Sequence, residues 1–242
     1  MKFFQLLLLS LIASPVLAKD CDDFLKINFE NVSVSEARLI KKVEDLPSFC
    51  KVRGIIEPNI GFEARLPHKN WNGKFFQAGC GGFCGLIEPD RTSQSNAINH
   101  ALRKGYAVIT TNGGHEGKHL GDADWAKNDP SAREVYAYSV IKFTYDAGHK
   151  LIREYFNLEP SFSYFSGCSN GGRLAVKAAQ IYPDLFDGII SGCPILNLTE
   201  NAGIFGPWLL QANLDERKNE ILTNKFNSKL IWLEEYVLVK CD

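Results

Sequence analysis

The sequence predicts an α/β protein built on a mostly parallel sheet flanked by helices. Short apolar or aromatic runs, which are typical of buried strands, alternate with longer stretches in which apolar residues recur at helical spacing. Such alternation is typical of parallel sheets with crossover helices. With 242 residues, 45% of them apolar and 23% charged, the chain is long enough for one sizeable globular domain, or for a domain plus the start of another.

The first half of the chain contains several of the predicted elements. Apolar and β-branched runs bounded by Pro, Asn or Gly indicate the strands, and Gly105 marks the end of a helix because glycine is a usual stop residue. In chain order, we expect two extended segments over 52–66 joined at Pro58-Asn59, a strand over 74–77, a helix over 97–104 and a buried strand over 106–111.

The second half begins with a long predicted helix. Residues 130–156 carry apolar side chains at roughly helical spacing, among them Tyr136 and Leu151. The pattern then predicts a strand over 162–166, a helix over 171–182 and a strand over 188–191. From about Asn197 the pattern loosens. Residues 213–240 are expected to be helical without a following strand, as at the start of a new subdomain.

A glycine-flanked serine lies between the predicted strand 162–166 and the helix that follows it. The motif is Gly167-Cys168-Ser169-Asn170-Gly171, and such a turn from strand to helix exposes the nucleophilic serine of α/β-hydrolases. Glycines are needed at both flanks because the turn is tight and strained. The alternative is a plain glycine-rich turn. The strand before and the helix after favour a nucleophile elbow, with Ser169 as the catalytic nucleophile.

A second glycine-rich segment, Gly79-Cys80-Gly81-Gly82, follows the early strand 74–77. At this point of the fold, α/β-hydrolases present backbone N–H groups to the oxyanion that develops during ester cleavage. We expect Gly81 or Gly82 to provide one donor, and the backbone of Asn170, the residue after the nucleophile, to provide the other. The alternative is a simple turn.

The histidines are arranged unusually for a serine hydrolase. The chain contains five: His68, His100, His115, His119 and His149. All of them precede Ser169, whereas in this fold the acid and the histidine follow the serine. His115 is the least implausible substitute because it follows a strand end, but we do not expect it to act as the base. Loss of the histidine from such a triad costs several orders of magnitude in rate.

Two short patterns resemble metal sites, and both have a better explanation. His115 and His119 are four residues apart, which suits zinc on a helix, but the surrounding glycines favour a loop and a structural or substrate-edge role. Cys80 and Cys84 are also four apart, without a nearby Cys or His pair to complete a tetrahedral site. We expect a local disulfide across the glycine-rich loop, or one bond to Cys193.

The amino terminus is typical of a secretory signal peptide over residues 1–18. Lys2 precedes an apolar run that is too short to span a bilayer, and small residues suit cleavage after Ala18. No other run approaches membrane-spanning length, so we expect a secreted or periplasmic protein without a membrane partner. The formal charge of −1 and the lack of basic runs argue against nucleic acid as a partner.

Several segments resemble the tannase and feruloyl esterase family. They are Trp71-Asn72-Gly73-Lys74-Phe75, the glycine-rich loop, Asn128-Asp129-Pro130, the stretch from Tyr164 to Arg173 and Phe186-Asp187-Gly188-Ile189-Ile190. The Gly-Cys-Ser-x-Gly-Gly-Arg element is specific, and the resemblance covers most of the mature chain. It implies a secreted carboxylic ester hydrolase acting on small aromatic acid esters, with Ser169 as nucleophile and no cofactor for catalysis.

The resemblance also implies a disulfide and a calcium site. In the family, the cysteine before the nucleophile, here Cys168, is bonded to a cysteine beside the catalytic histidine, and that partner, the acid and the histidine lie further downstream. In the family, an inserted lid domain carries a structural calcium loop. Residues 237–242 resemble the segment that leads into this loop. Cys241 would brace that loop and Asp242 would be its first calcium ligand. One aspartate cannot hold calcium, which takes six to eight oxygens.

All seven cysteines follow Ala18, and an exported compartment favours disulfides. Because seven is odd, at least one cysteine lacks an internal partner. A buried free thiol would account for this, as would a partner beyond residue 242. The resemblance implies that Cys21 pairs with Cys50 and that Cys168 and Cys241 have no partner within these 242 residues.

We therefore expect a signal peptide over 1–18, an α/β-hydrolase catalytic domain over 19–198 that is truncated before its last strands, and the start of a lid domain over 199–242. Such a chain is expected to be inactive alone. The alternative is a non-catalytic remnant or binding protein with the hydrolase fold, which the lack of a histidine after Ser169 favours. Acyl transfer by the same elbow is a third possibility, decided by the access of water.

Overall fold

The computed structural model describes residues 19–92 and 95–221 of the chain. The chain divides into two compact units, Met1–Ile195 and Leu196–Asp242. The predicted signal peptide and the predicted calcium ligand Asp242 both lie outside the described residues.

The first unit is built on a sheet of seven described strands. They are β1 (Val32–Ile40), β2 (Phe49–Ile56), β3 (Ile60–Pro67), β4 (Lys74–Ala78), β5 (Ala107–Thr111), β6 (Phe162–Cys168) and β7 (Gly188–Gly192). Their order across the sheet is β1-β2-β3-β5-β4-β6-β7. The strands β5, β4, β6 and β7 are mutually parallel, and β1 to β3 add an antiparallel meander beside β5. This sheet and its flanking helices confirm the predicted fold class.

The helices of the first unit lie between the parallel strands. They are α1 (Asn99–Leu102), α2 (Pro130–Glu134), α3 (Val140–Phe156) and α4 (Asn170–Ile181). A π-helical segment, Val135–Ser139, joins α2 to α3, so the predicted helix over 130–156 is confirmed with one widened turn inside it. It begins at Asp129, whose carboxylate caps Ala132 N–H at 2.9 Å, and ends at Asn157 in the left-handed conformation.

The core lies on both faces of the parallel strands because successive side chains of a strand point to opposite faces. Phe75 and Ile109 contribute to the larger cluster, which α3 covers. Their neighbours Phe76 and Val108 contribute to a second cluster. Helix α3 approaches closely at Gly148, where an added Cβ would lie 2.6 Å from the Phe75 ring. Strands buried on both faces explain why apolar runs, rather than alternation, marked them in the sequence.

Several predicted elements differ from the structure. Helix α1 is shorter than the predicted 97–104, and β1 was not predicted. Helical segments span Leu198–Glu200 (α5), Asn201–Phe205 (π-helical) and Gly206–Ala212 (α6), where the pattern seemed to loosen. The predicted helix over 213–240 is wrong for its first nine residues, which form turns with a bridge between Leu214 and Glu220. The remainder lies outside the described residues.

Two disulfides are present among the described cysteines. Cys21–Cys50 ties the amino-terminal 3-10 helix (Cys21–Lys26) to β2, which confirms that pairing. Cys80–Cys84 closes the glycine-rich loop, so the local alternative is confirmed over the bond to Cys193. No helix within the described part of the chain is long and apolar enough to cross a membrane.

Candidate active site

Ser169 sits at the turn between the end of β6 and the start of α4. Its backbone has φ 58° and ψ −120°, a region that a residue with a Cβ rarely occupies. The Ser169 N–H donates to the carbonyl of Gly192 at the end of the neighbouring strand β7, at 3.0 Å. The sequence-predicted turn from strand to helix is therefore present, with the strained backbone that holds a serine at such an elbow.

Two glycines allow the backbone around the elbow to pack without side chains. A Cβ at Gly167 would lie 2.5 Å from the carbonyl carbon and oxygen of Gly171. A Cβ at Gly172 would lie 2.2 Å from the carbonyl oxygen of Gly192. Real Cβ atoms essentially never approach other atoms this closely, so the glycines on both sides of Ser169 are sterically required.

The glycine-rich loop lies directly beside the elbow because it follows β4, the parallel neighbour of β6. The side-chain amide of Asn170 donates to the carbonyl of Cys80 at 3.1 Å. Gly81 packs against Ser95, whose hydroxyl donates to the carbonyl of Cys168 at 3.0 Å. The structure thus brings Gly81 and the residues on either side of Ser169 into one site.

Gly82 occupies a position that only glycine can fill. Its φ is +59°, and an added Cβ would lie 2.4 Å from the carbonyl oxygen of Leu120. Within residues 19–92 and 95–221, no acceptor is bonded to the backbone N–H groups of Gly81 and Gly82. Asn170 is the first residue of α4, so its N–H has no intrahelical acceptor either. These three N–H groups are the candidate donors for an oxyanion.

A half-buried arginine, Arg173, holds the side chain of Asn170 in place. The Arg173 guanidinium donates to the Asn170 side-chain oxygen at 2.7 Å and to the carbonyls of Tyr136 and Ala137 at 2.9 and 2.8 Å. It also lies 4.6 Å from the centre of the Tyr136 ring, a cation–π contact. Burial lowers the pKa of Arg173. Its charge is accommodated by these carbonyls, and the first turn of α4 is thereby locked to the π-helical segment.

Tyr136 connects that segment to Asn170 and Gly82, two of the three residues that carry the candidate oxyanion donors. Its hydroxyl donates to the Asn170 side-chain oxygen at 2.9 Å and lies 3.4 Å from the carbonyl oxygen of Gly82. Burial raises the pKa of this hydroxyl, so it remains a neutral donor. The Asn170 side chain therefore accepts hydrogen bonds from Tyr136 and Arg173 and donates one to the Cys80 carbonyl. These bonds hold the backbone of Asn170 in position.

The loop after β5 supports the glycine-rich loop from the other side. Phe83 N–H donates to the Leu120 carbonyl at 2.7 Å, and Gly85 N–H donates to the Asn112 carbonyl at 2.7 Å. The Cys80–Cys84 disulfide packs on Gly113, where a Cβ would lie 2.6 Å from the Cys84 Cβ. The disulfide and these backbone bonds hold the loop in place.

His115 has a structural position in this supporting loop. Its Nε2 lies 2.7 Å from the carbonyl of Phe83 and its ring stacks on Trp125 at 3.7 Å. Its Nδ1 is buried and has no partner among the described residues. Desolvation lowers the pKa of His115, so the ring is neutral and its Nε2 proton is donated to Phe83. His115 and His119 lie on a loop rather than a helix, as predicted.

The other histidines have partners elsewhere in the fold. His149 contacts the Ser163 hydroxyl at 3.1 Å, near the amino end of β6, and the carboxyl end that carries Ser169 is about 20 Å further along the strand. The His68 ring contacts the Tyr155 hydroxyl at 3.1 Å. His100 packs edge-on against Phe76, and the N–H of Gly121 donates to His119.

Cys168 lies at the elbow with a second cysteine beside it. Its Sγ is 3.2 Å from the Sγ of Cys193, which follows the end of β7. Neither cysteine belongs to a disulfide in the structure. The hydrogen bond to Cys193 raises the pKa of the Cys168 thiol.

A model of the family described as tannase and feruloyl esterase matches residues 42–242. The chain belongs to that family. An uncharacterised esterase of Xanthomonas campestris pv. campestris is 35% identical over 196 residues, covering 75% of this chain and 33% of that protein. Mono(2-hydroxyethyl) terephthalate hydrolase of Piscinibacter sakaiensis is 31% identical over 219 residues, covering 81% and 36%.

Among solved structures, feruloyl esterase B from Aspergillus oryzae superimposes with a TM-score of 0.68 at 27% identity. The match covers 81% of this chain and 41% of that one. This tannase and feruloyl esterase family chain therefore has the α/β-hydrolase fold of a family of ester hydrolases, and it spans about a third of the length of the curated relatives it matches.

Sequence reasoning found the elbow and the glycine-rich loop but missed the residues that hold them together. Tyr136 was interpreted only as part of an apolar helix face, and Arg173 only as part of a motif. A signal for Arg173 was available, because an arginine directly after a glycine-rich turn must find acceptors when the turn packs on a helix. The carbonyls that it uses belong to the π-helical segment, for which the sequence gives no comparable signal.

Proposed function

We propose that this chain carries the nucleophile and oxyanion site of a serine carboxylic ester hydrolase. Ser169 attacks the ester carbonyl, and the alcohol leaves from a tetrahedral intermediate whose oxyanion accepts from Asn170 N–H and from Gly81 or Gly82 N–H. Water then releases the acyl group. The observation that carries the proposal is the strained backbone of Ser169, set beside N–H groups that no described acceptor uses.

The proposed substrates are small esters of aromatic acids. Support comes from the relatives, of which several are named feruloyl esterase B and one is named a terephthalate ester hydrolase. We propose hydrolysis rather than acyl transfer because these relatives are named as esterases or as a hydrolase.

The general base is the missing component of the proposed site. Ser169 is weakly nucleophilic without a base to take its proton. No histidine follows it within the 242 residues, and the five that precede it have the partners described above. We propose that the 242-residue chain alone accepts acyl groups from activated esters and releases them very slowly.

We also propose that the chain is exported to the periplasm or secreted, after cleavage of residues 1–18. The two disulfides support an oxidising compartment. Lys19 is bonded through its backbone N–H to the Tyr155 carbonyl at 2.9 Å, and its ammonium pairs with Glu154. An ordered residue directly after the predicted cleavage site is consistent with a mature chain that starts there.

The test is covalent trapping. The chain is incubated with p-nitrophenyl ferulate, whose leaving group needs no protonation, and the acylated peptide is located by mass spectrometry. The Ser169 proton passes to solvent in a slow acylation, and because release of the acyl group needs a base to activate water, the feruloyl group is expected to accumulate on Ser169. Ser169→Ala should abolish the adduct, while Ser163→Ala, at the other end of the same strand, should leave it.

Acylation of lysines with equal yield in wild type and Ser169→Ala would contradict the proposal. Robust turnover of methyl ferulate by the 242-residue chain, abolished by Ser169→Ala, would instead show that a base is available and would overturn the proposed slow release.

A further inference from the structure

We propose that a cleft beside the loop after β5 binds a neutral sugar unit, at a site separate from the elbow. The cleft has a volume of about 370 Å³, which is within the range of small-molecule sites in proteins. The turn between β2 and β3, the loop after β5 and the start of α2 form its walls. All ten residues that line it lie outside the elbow (167–171) and the glycine-rich loop (79–82). A sugar bound there would leave the proposed ester site free.

Asn112 provides the cleft with a hydrogen-bond donor in a fixed position. Its side-chain oxygen accepts from the N–H groups of Gly61 and Gly114, both at 3.0 Å. These two bonds determine which end of the amide is the oxygen, and they leave the –NH₂ group without an acceptor among the described residues. Asn112 is only 6% exposed, so the amide is held rigidly in the wall. Its free N–H groups suit a ligand oxygen.

His115 adds an unused acceptor to the same cleft. The residue is only 7% exposed, and its Nε2 donates to the Phe83 carbonyl at 2.7 Å. Because the ring is neutral and Nε2 carries the proton, Nδ1 carries a lone pair. That Nδ1 is buried and has no partner within the described part of the chain. A buried acceptor without a donor is costly, and a hydroxyl group of a ligand would provide the donor.

Two carboxylates supply further acceptors. Glu116 is exposed and makes no ion pair with a described residue. Asp129 uses one oxygen to cap Ala132 N–H at 2.9 Å, which leaves its second oxygen for a ligand. The described residues that line the cleft include no lysine or arginine. A phosphate or carboxylate ligand would therefore be repelled without compensation.

This combination of groups favours a hydroxylated ligand over a cation. An ammonium group could pair with the carboxylates, but it cannot accept a hydrogen bond from Asn112. A hydroxyl group both donates and accepts, so a sugar can accept from Asn112 and donate to His115 and Glu116. Trp125 is half-buried in the cleft and provides apolar surface for the C–H groups of a sugar ring.

Binding is tested by saturation-transfer NMR on the 242-residue chain. The probes are the methyl glycosides of glucose, galactose, xylose and arabinose, with choline and acetate as charged probes of similar or smaller size. At least one glycoside is expected to bind with a Kd of about 1–10 mM, as is usual for so small a ligand. Failure of all four to bind at about ten times that concentration would overturn the proposal. Binding of choline or acetate in place of the glycosides would overturn the assigned ligand class.

Four variants locate the site. Gly61→Ala places a Cβ 2.9 Å from the Asn112 side-chain nitrogen and should weaken binding at least about tenfold. Glu116→Ala removes an exposed acceptor without disturbing the fold and should weaken it about fivefold. Glu216→Ala, an exposed carboxylate outside the cleft, and Ser169→Ala should both bind as wild type does.

The variants also separate this site from the proposed ester site, since no arm of the test depends on catalysis. Equal affinity in wild type, Gly61→Ala and Glu116→Ala would overturn the assignment to this cleft. Loss of binding in Ser169→Ala would place the sugar at the elbow instead and would also overturn it. Thermal denaturation checks that Gly61→Ala is folded, and Glu116→Ala decides the outcome where it is not.

Discussion

The elbow and the glycine-rich loop form the two halves of the candidate site, and they are held in place by different means. The elbow is packed backbone against backbone, with Gly167 and Gly172 leaving room for Gly171 and Gly192. The glycine-rich loop is braced by its backbone bonds to the loop after β5 and by the Cys80–Cys84 disulfide, and at Gly81 its neighbour is the side chain of Ser95 rather than backbone. Backbone packing cannot relax, whereas side chains can rotate. The two halves should therefore differ in their tolerance of substitution.

The largest expected difference comes from adding one methyl group to each half. Gly167→Ala places a Cβ 2.5 Å from the Gly171 backbone, whereas Gly81→Ala meets the side chain of Ser95 at 2.8 Å. We expect Gly167→Ala to cost at least about 3 kcal/mol of unfolding free energy and Gly81→Ala roughly 1 kcal/mol. Urea denaturation measures both. Equal costs would mean that the two halves are held alike.

A second comparison removes the hydrogen bonds by which Arg173 joins α4 to the π-helical segment. Arg173→Met deletes the bonds to Asn170, Tyr136 and Ala137 and leaves their oxygens without that donor. The expected cost is about 2–3 kcal/mol. Lys177→Met on the same helix loses only an exposed bond to Gln180 and should change stability by less than about 0.5 kcal/mol. Similar losses in the two variants would show that the hydrogen bonds of Arg173 contribute little.

The support of the glycine-rich loop should depend on pH through His115. Burial lowers its pKa in the folded state below the ordinary 6.5, so above pH 6.5 the ring is neutral in both states. As the pH falls below 6.5, the unfolded chain binds a proton that the folded chain resists, and stability falls. The loss should reach about 1 kcal/mol per pH unit. His115→Gln should reduce this slope, and an unchanged slope would contradict the assignment.

The smallest expected effect is a gain in stability on substitution of Ser169. Ser169→Gly removes the Cβ from a backbone with φ 58° and ψ −120°, and should raise the unfolding free energy by about 1 kcal/mol. Asn157→Gly, at an ordinary left-handed helix end with φ 55°, should change it by only a few tenths. Thermal denaturation compares them, and a loss of stability in Ser169→Gly would exclude stored strain at the elbow.

The sequence predicted the elements that depend on interactions between residues close together in the chain. It missed those that depend on residues far apart in the chain. The strands β4 to β7 and the helices α3 and α4 were predicted because their apolar patterns are local. The elbow was predicted because its tight turn requires glycines within a few residues of Ser169. Strand β1 was missed because its exposure alternates irregularly around a register shift between Val34 and Glu36. The short α1 ends at Leu102, and residues 103–105 form a turn before β5 begins at Ala107.

The candidate site was only half predictable for the same reason. Ser169 and the glycine-rich loop carry their own signals, but Ser95, Tyr136 and Arg173 act through partners 34 to 73 residues away in the chain. Such pairs are decided by packing between α4, the π-helical segment and the loops. A single sequence contains no direct record of that packing.

The π-helical segment Val135–Ser139 has a consequence for comparing this chain with its relatives. A π turn contains about one residue more than an α turn, so removing one residue here would restore a regular helix and rotate everything before it by about 100°. Tyr136 would then face away from Asn170. Across the family, a one-residue gap at this place in an alignment is therefore expected to change how the candidate oxyanion site is built, even where every residue of the elbow motif is identical.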